Sequence, residues 1–329
     1  MDCSHCYMMN RRFMESRGYI YKSTLGEGMF GKVVRAQATK LNRTVAIKII
    51  DTKKVNYSEK FLSREMEIIR SLNHPNIVKT LDIFQSKTNT VYVVMEFCVK
   101  GDLLKHINVN GALPEHSSCR LFTQLCGAVQ YLHNKDVAHR DLKCENLLLD
   151  TFHSLKVCDF GFSKRLTYTD GQMVLSETYC GTSSYAAPEI LRSCPYNPKV
   201  SDVWSMGVVL YMMLYASMPY DASNIRRMVE IQIQHNINFP SILSVSSEAK
   251  DLIRSILHPV VEQRITISNI LQSSWILREG RMEDGEEVST SYAGSTQEGP
   301  PDEKTKEDKE HSKDNSDPGE GPSTPNPNP

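Results

Sequence analysis

The glycines at 26, 28 and 31, followed at once by residues of strong strand preference, constrain the fold of this 329-residue chain more than any other feature. Glycine has no Cβ, so a loop with the spacing Gly26-x-Gly28-x-x-Gly31-x-Val33 lets backbone N–H groups approach a phosphate closely. Where such glycines open a helix they mark a dinucleotide-binding unit. Here Lys32 to Ala36 and Thr44 to Ile50 are rich in β-branched residues and read as the two strands of a hairpin, which argues against that unit. Lys48 stands in the second strand, in Val45-Ala46-Ile47-Lys48. Alone it would read as a solvated strand lysine; behind the glycine loop it reads as a clamp for phosphates.

Further motifs follow in order. Glu59 to Leu72 has helical periodicity, with Phe61, Leu62, Met66, Ile69 and Leu72 on one stripe. Glu65 is the carboxylate of choice for Lys48, because Glu67 lies two positions on and points elsewhere, and Glu59 sits too near the helix start. Val91 to Phe97 is an apolar strand running into Cys98-Val99-Lys100-Gly101-Asp102, with Met95 at the back of a pocket. His139 to Asn146, HRDLKCEN, puts an acid, a base partner and a metal ligand on one loop. Leu155 to Cys158 is a short strand leading to Asp159-Phe160-Gly161. Ala187-Pro188-Glu189 and Asp202-Val203-Trp204-Ser205-Met206-Gly207 come next, the latter starting a long buried helix, and Glu189 is expected to form a buried ion pair with Arg264. Helices are also expected over Ala112 to His133, Ser201 to Leu214, Asn224 to His235, Ser246 to Leu257 and Ile267 to Ser273.

In this order and spacing the motifs resemble those of eukaryotic protein kinases over residues 19 to 276. The resemblance implies an α+β, two-lobed kinase fold: a small, mainly antiparallel β lobe with one key helix (19–97) and a larger, mainly α-helical lobe (98–276). It implies ATP and Mg²⁺ as cofactors and proteins as substrates. Leu25, Gly26, Glu27, Gly28, Met29, Phe30, Gly31, Lys32 and Val33 would cover the nucleotide, and Ala46, Met95, Glu96, Cys98 and Asp102 would line its site. Lys48, held by Glu65, would grip the α and β phosphates. Asn146 and Asp159 would hold Mg²⁺, Asp141 would accept the substrate hydroxyl proton, and Lys143 would neutralise the migrating phosphoryl group. His139 and Phe160 are expected to pack with Ile69. Thr178 would be the regulatory phosphosite, paired through Arg140, while Thr182 contacts Asp141. The DLKxEN wording around Lys143 resembles serine/threonine kinases and not tyrosine kinases.

More narrowly, VAHRDLKCENLLL, FGFSK, LSETYCGTSSYAAPEIL, YNPKVSDVWSMGVVLYMML and SMPYDASNI resemble the testis-specific serine/threonine-protein kinases of the calmodulin-kinase-like branch, which implies a role in sperm development. Sperm motility kinases and relatives of the AMP-activated kinase are the alternative resemblances. Two departures, Gly181-Thr182-Ser183 for the family's Gly-Ser-Pro and Lys100 for the first of two glycines after the hinge, bear on substrate preference. Asp102 and Glu145 are expected to favour Arg upstream of the phosphoacceptor. A pseudokinase scaffold, the rival reading, would lose a key Lys, Asp or Asn, and all are retained. Cys158 is expected to face the cleft, as a reactive thiol or as an inert apolar filler.

Composition sets the bounds. The total charge is −1, but residues 280–329 carry 13 acidic and 5 basic side chains, a net of −8, which leaves +7 on the rest. That tail lacks an apolar period, so residues 277–329 are expected to be disordered, with an unidentified partner as an alternative to plain solvation. Residues 1–18 read as an extension. The dispersed Lys and Arg do not suggest nucleic acid. Without an 18-residue apolar run or a signal sequence the chain reads as soluble and cytoplasmic, a nuclear pool being allowed. Nine cysteines fit free thiols in a reducing compartment. Cys3, His5 and Cys6 imitate half a zinc site without a second half nearby. No basic amphipathic helix follows Trp275, so a calmodulin-binding segment is not expected.

Overall fold

β-Branched and aromatic residues alternate through the small lobe's strands, and in the computed structural model they pair into one antiparallel sheet. The structure describes residues 4–28, 31–52, 59–87 and 89–289. The sheet contains β1 (Tyr19–Gly28), β2 (Gly31–Ala38), β3 (Arg43–Asp51), β4 (Thr80–Gln85) and β5 (Thr90–Glu96) in the order β1-β2-β3-β5-β4. Two register shifts bend β1 before its hairpin tip. Gly31 has φ 127°, and a Cβ there would collide with Ile49 O, so only glycine fits against β3.

Both sheet faces are covered. The inner face shares a core with the large lobe through Ile50, Ile69 and Val93. The outer face is aromatic: Phe84 stacks on Tyr19 and Tyr92 at centroid distances of 5.6 and 5.0 Å. Helix α1 (Ser4–Ser16) covers it, burying Met14 and setting Phe13 5.3 Å from Tyr92, whose hydroxyl donates to Asn10 Oδ1 at 2.7 Å. Asn10, Phe13 and Met14 of α1 thus pack against the small lobe.

Helix α2 (Glu59–Ser71) lies between β3 and β4. The large lobe holds α3 (Leu103–Asn110), α4 (Glu115–Asn134), α5 (Pro188–Leu191), α6 (Pro198–Tyr215), α7 (Ile225–Ile233), α8 (Ser247–Ile256), α9 (Ile267–Leu271) and α10 (Ser274–Ser289). Short strands β6 (Val137–Ala138) and β9 (Lys164–Arg165) pair, as do β7 (Leu147–Leu149) and β8 (Leu155–Val157), and β10 (Tyr168–Thr169) and β11 (Gln172–Met173). Helix α6 is buried nearly all round, as its apolar sequence demands. At Gly207 a Cβ would meet Ile256 Cγ2 at 2.6 Å, which lets α8 approach closely.

Helix ends differ from the periodic reading where caps decide. Asn224 and Ser246 stand outside α7 and α8 as N-caps, their side chains accepting from Arg227 N and Ala249 N. Asn197 caps α6 ahead of Pro198, and α4 starts after Pro114. The disordered tail expected from residue 277 is replaced at its start by α10: Trp275 is fully buried and donates to Glu115 Oε2 at 2.7 Å, and Arg278 reaches the same oxygen at 3.2 Å. Residues 290–329, the rest of that expectation, lie outside the described residues. Glu189 and Arg264 form a bidentate pair at 2.7 and 3.0 Å.

Candidate active site

Many of the side chains singled out in the sequence, Lys48, Glu65, Asn146 and Asp159 among them, line one cleft of about 430 Å³ between sheet and helices, whereas Asp141, Lys143 and Thr178 are not in its lining. Lys48 is opposite Val33 in β2 and Val93 in β5, so the central strand aims it into the cleft. Its Nζ donates to Glu65 Oε1 at 3.1 Å and to Asp159 Oδ1 at 2.8 Å. Glu67 lies on the exposed side of α2, 3.7 Å from Arg165. Burial works to lower the Lys48 pKa, but the charges of Glu65 and Asp159 and hydrogen bonds to both outweigh it and raise it above 10.5. Asp159 shows the converse: burial alone would raise its pKa, and the Lys48 charge holds it below 3.8.

Of the glycine loop, Leu25, Gly26 and Val33 line the cleft. Glu27, Gly28, Gly31 and Lys32 belong to the hairpin end beyond that lining, and Met29 and Phe30 lie outside the described residues. Ala46, Met95, Glu96, Cys98 and Asp102 are all in the wall. The Glu96 carboxylate faces outward, accepting Lys79 N at 2.8 Å and Lys156 Nζ at 3.1 Å, so it is main chain that Glu96 offers the cleft. Asp102 caps α3, accepting Lys105 N at 2.9 Å, with Lys105 Nζ 2.9 Å away.

Next to the cleft, joined to its lining through Asn146, the Asp141 carboxylate is buried and held on both oxygens. Oδ1 accepts the Thr182 hydroxyl at 2.9 Å; Oδ2 lies 2.9 Å from Lys143 Nζ and accepts Asn146 Nδ2 at 3.0 Å. Lys143 also donates to Thr182 Oγ1 at 2.8 Å. The loop's backbone is anchored from below by Asp202, which accepts His139 N at 2.9 Å, Arg140 N at 2.8 Å and contacts His133 Nε2 at 3.0 Å. Arg140 and Asp159 have φ of 66° and 59°, each costing on the order of 1–3 kcal/mol, and at Arg140 the hydrogen bond to Asp202 offsets part of it. The His139 ring stands edge-on to Phe160 at 5.1 Å, and Phe160 shares a core with Ile69, which ties α2 to the loop.

Sequence reasoning missed Val78, Thr80 and Val93 in the wall and the anchoring role of Asp202. A carboxylate inside an otherwise apolar buried helix is the signal that would have singled out Asp202. Cys158 lines the cleft, but burial, with the charges of Asp159 and Cys98 adding to it, outweighs Lys48 and pushes its thiol well above 9.0. Cys98 is pushed up to about 12, first by burial. Cys3 lies outside the described residues, as do the side chains of His5 and Cys6.

Residues 19–276 match the protein kinase domain. Similar proteins include the mouse testis-specific serine/threonine-protein kinase 1, 50% identical over 271 residues that make up 82% of this chain and 74% of the relative. The mouse testis-specific kinase 3 is 42% identical over 80% of this chain and 98% of its own length, and the human kinase 4 is 39% identical over 80% and 84%. The chain belongs to the testis-specific serine/threonine-protein kinase family. It is a protein serine/threonine kinase, with proteins as substrates and with the ATP and Mg²⁺ that its family uses.

The cleft fits the metal. Asn146 Nδ2 donates to Asp141 O at 2.8 Å as well as to its carboxylate, which turns the amide oxygen away from Asp141. With the Asp159 carboxylate this supplies two hard oxygen donors, suited to Mg²⁺ and not to a soft metal. No helix of the described residues is long and apolar enough to cross a membrane.

Proposed function

We propose that Asp141 orients the serine or threonine hydroxyl of a protein substrate and takes its proton as the oxygen bonds to the γ-phosphorus and the bond to ADP breaks. The observation that carries this is the fixation of both Asp141 oxygens by Thr182, Lys143 and Asn146. Lys143, already at that carboxylate, faces the transferring group as a fixed positive charge. Lys48, a stable ammonium between Glu65 and Asp159, grips phosphate oxygens, and the main chain of Glu96 to Cys98 meets the base. Asn146 and Asp159 would hold Mg²⁺, which when bound neutralises charge on the phosphates. Transfer of labelled phosphate to a basic peptide, lost in Asp141→Asn, tests the assignment.

Glu145, exposed at the cleft and 3.4 Å from Tyr185 Oη, is the carboxylate that favours Arg upstream of the acceptor; Asp102 is taken up by Lys105. Thr178, exposed in the activation segment, is the phosphosite. Mass spectrometry of active enzyme that finds Thr178 unmodified, with Thr178→Ala fully active, rejects it. A role in sperm development and a cytoplasmic place, a nuclear pool allowed, are carried over from the relatives' names and from the sequence. Immunostaining of testis that finds the protein outside germ cells alone rejects the first.

A further inference from the structure

The activation segment, Asp159 to Glu189, is fastened by residues that the proposed mechanism does not use. Ser176 is fully buried and exchanges two backbone hydrogen bonds with Tyr196, N–H to O at 2.8 Å and the reverse at 2.9 Å. The Tyr196 hydroxyl donates to Thr178 O at 3.0 Å. Its ring is buried with Ala186 and Ile190, beneath the segment's far end. Burial raises the Tyr196 pKa, so the phenol stays a donor at neutral pH.

Arg140 joins the same cluster. Its Nε donates to Phe162 O at 2.7 Å and its Nη1 to Ser176 Oγ at 3.4 Å. The guanidinium that would pair with a phosphate on Thr178 is thus already engaged by neutral acceptors. Downstream, Gly181 has φ 93° and passes so close to the catalytic loop that a Cβ would lie 2.5 Å from Arg140 O. Thr182 then reaches Asp141. Only the short stretch from Thr178 to Thr182 separates the carbonyl held by Tyr196 from the hydroxyl on the catalytic carboxylate. Fixing one end limits where the other can lie.

We propose that Tyr196 and Ser176 form a neutral latch that sets the register of the activation segment against Asp141, and that both are positioning residues for substrate engagement whether or not Thr178 carries a phosphate. The latch deepens the phosphosite reading given above but does not need it. It makes the productive arrangement a property of the fold, which phosphorylation adjusts.

The test measures kcat and KM for peptide and for ATP in the full chain, with Tyr196→Phe and Ser176→Ala made separately, each with Thr178 intact and as Thr178→Ala. Tyr196→Phe loses the neutral hydrogen bond to Thr178 O, and Ser176→Ala loses the contact from Arg140 Nη1 while keeping the backbone pair with Tyr196. Tyr196→Phe is expected to raise peptide KM about fivefold in both Thr178 backgrounds and Ser176→Ala by less, with ATP KM unchanged. Unchanged peptide KM, a parallel rise in ATP KM, or an effect confined to the Thr178-intact background overturns the latch. Thr178→Ala behaving as the unaltered chain overturns the phosphosite and leaves the latch standing. If Tyr196→Phe fails to fold, amide exchange in the unaltered chain decides. Protection of the Ser176 and Tyr196 amides supports the latch, and exchange at exposed-loop rates overturns it.

Discussion

Thr182 donates its hydroxyl to Asp141 Oδ1 at 2.9 Å while Lys143 lies 2.9 Å from Oδ2, so the Asp141 carboxylate is gripped from two sides by groups 39 residues apart in sequence. Removing the Thr182 hydroxyl frees one oxygen and leaves Lys143 a single partner fewer. Thr182→Ala is expected to lower kcat roughly 10- to 100-fold, the cost of a hydrogen bond to a charged group, with Thr182→Ser close to the unaltered enzyme. Steady-state kinetics in which the Ser variant is as impaired as the Ala variant would contradict this.

Glu145 and Asp102 differ in what already holds them. Asp102 caps α3 and pairs with Lys105, whereas Glu145 is exposed with a long contact to Tyr185. Peptide arrays should show a preference for Arg before the acceptor that Glu145→Ala erases and Asp102→Ala leaves in place. A preference for acidic residues, or its loss with Asp102→Ala alone, goes against the assignment.

Cys158 lines the cleft as a thiol, not a thiolate, because burial pushes its pKa well above 9.0. A nucleotide-site electrophile should therefore alkylate it slowly at pH 7 and faster as pH rises, with Mg-ATP protecting. Adduct mapping that finds rapid labelling independent of pH, or no protection, would show a different environment.

Glu115 joins α4 to α8 and α10. It accepts Ser246 N at 2.7 Å, Ser246 Oγ at 2.6 Å and Trp275 Nε1 at 2.7 Å. Burial alone would raise its pKa, but these bonds and Arg278 hold it below 4.5. A depressed carboxylate stabilises above its unfolded pKa, and that stability is lost as pH falls through the folded value. Glu115→Gln should cost about 1–3 kcal/mol at pH 7, and the gap should narrow below pH 4. Denaturant titrations with a gap constant in pH would refute the linkage.

The pairing of Lys48 with Glu65 was legible because helical period alone separates Glu65 from Glu67, and the structure puts Glu67 on the outer face. The mutual contacts of Asp141, Lys143 and Asn146 were legible because the three lie within eight consecutive residues. Asp202 was not, since only folding returns it to His139 and Arg140. Helix α1 was missed for a similar reason: the aromatic face it covers is assembled from Tyr19, Phe84 and Tyr92, residues far apart in the chain. Val93 reaches the cleft through its register with Lys48, and a strand read alone does not reveal its partner.

The central claim, that Asp141 serves the substrate hydroxyl while Asp159 serves the metal and nucleotide, is tested most directly by thermal shift with Mg-ATP alongside turnover in Asp141→Asn and Asp159→Asn. Asp141→Asn should keep a Mg-ATP stabilisation near that of the unaltered chain while turnover falls roughly 100-fold or more. Asp159→Asn, which also removes the charge at 2.8 Å from Lys48, should lose both. If Asp141→Asn loses its Mg-ATP shift as fully as Asp159→Asn, the division of roles between the two carboxylates is wrong.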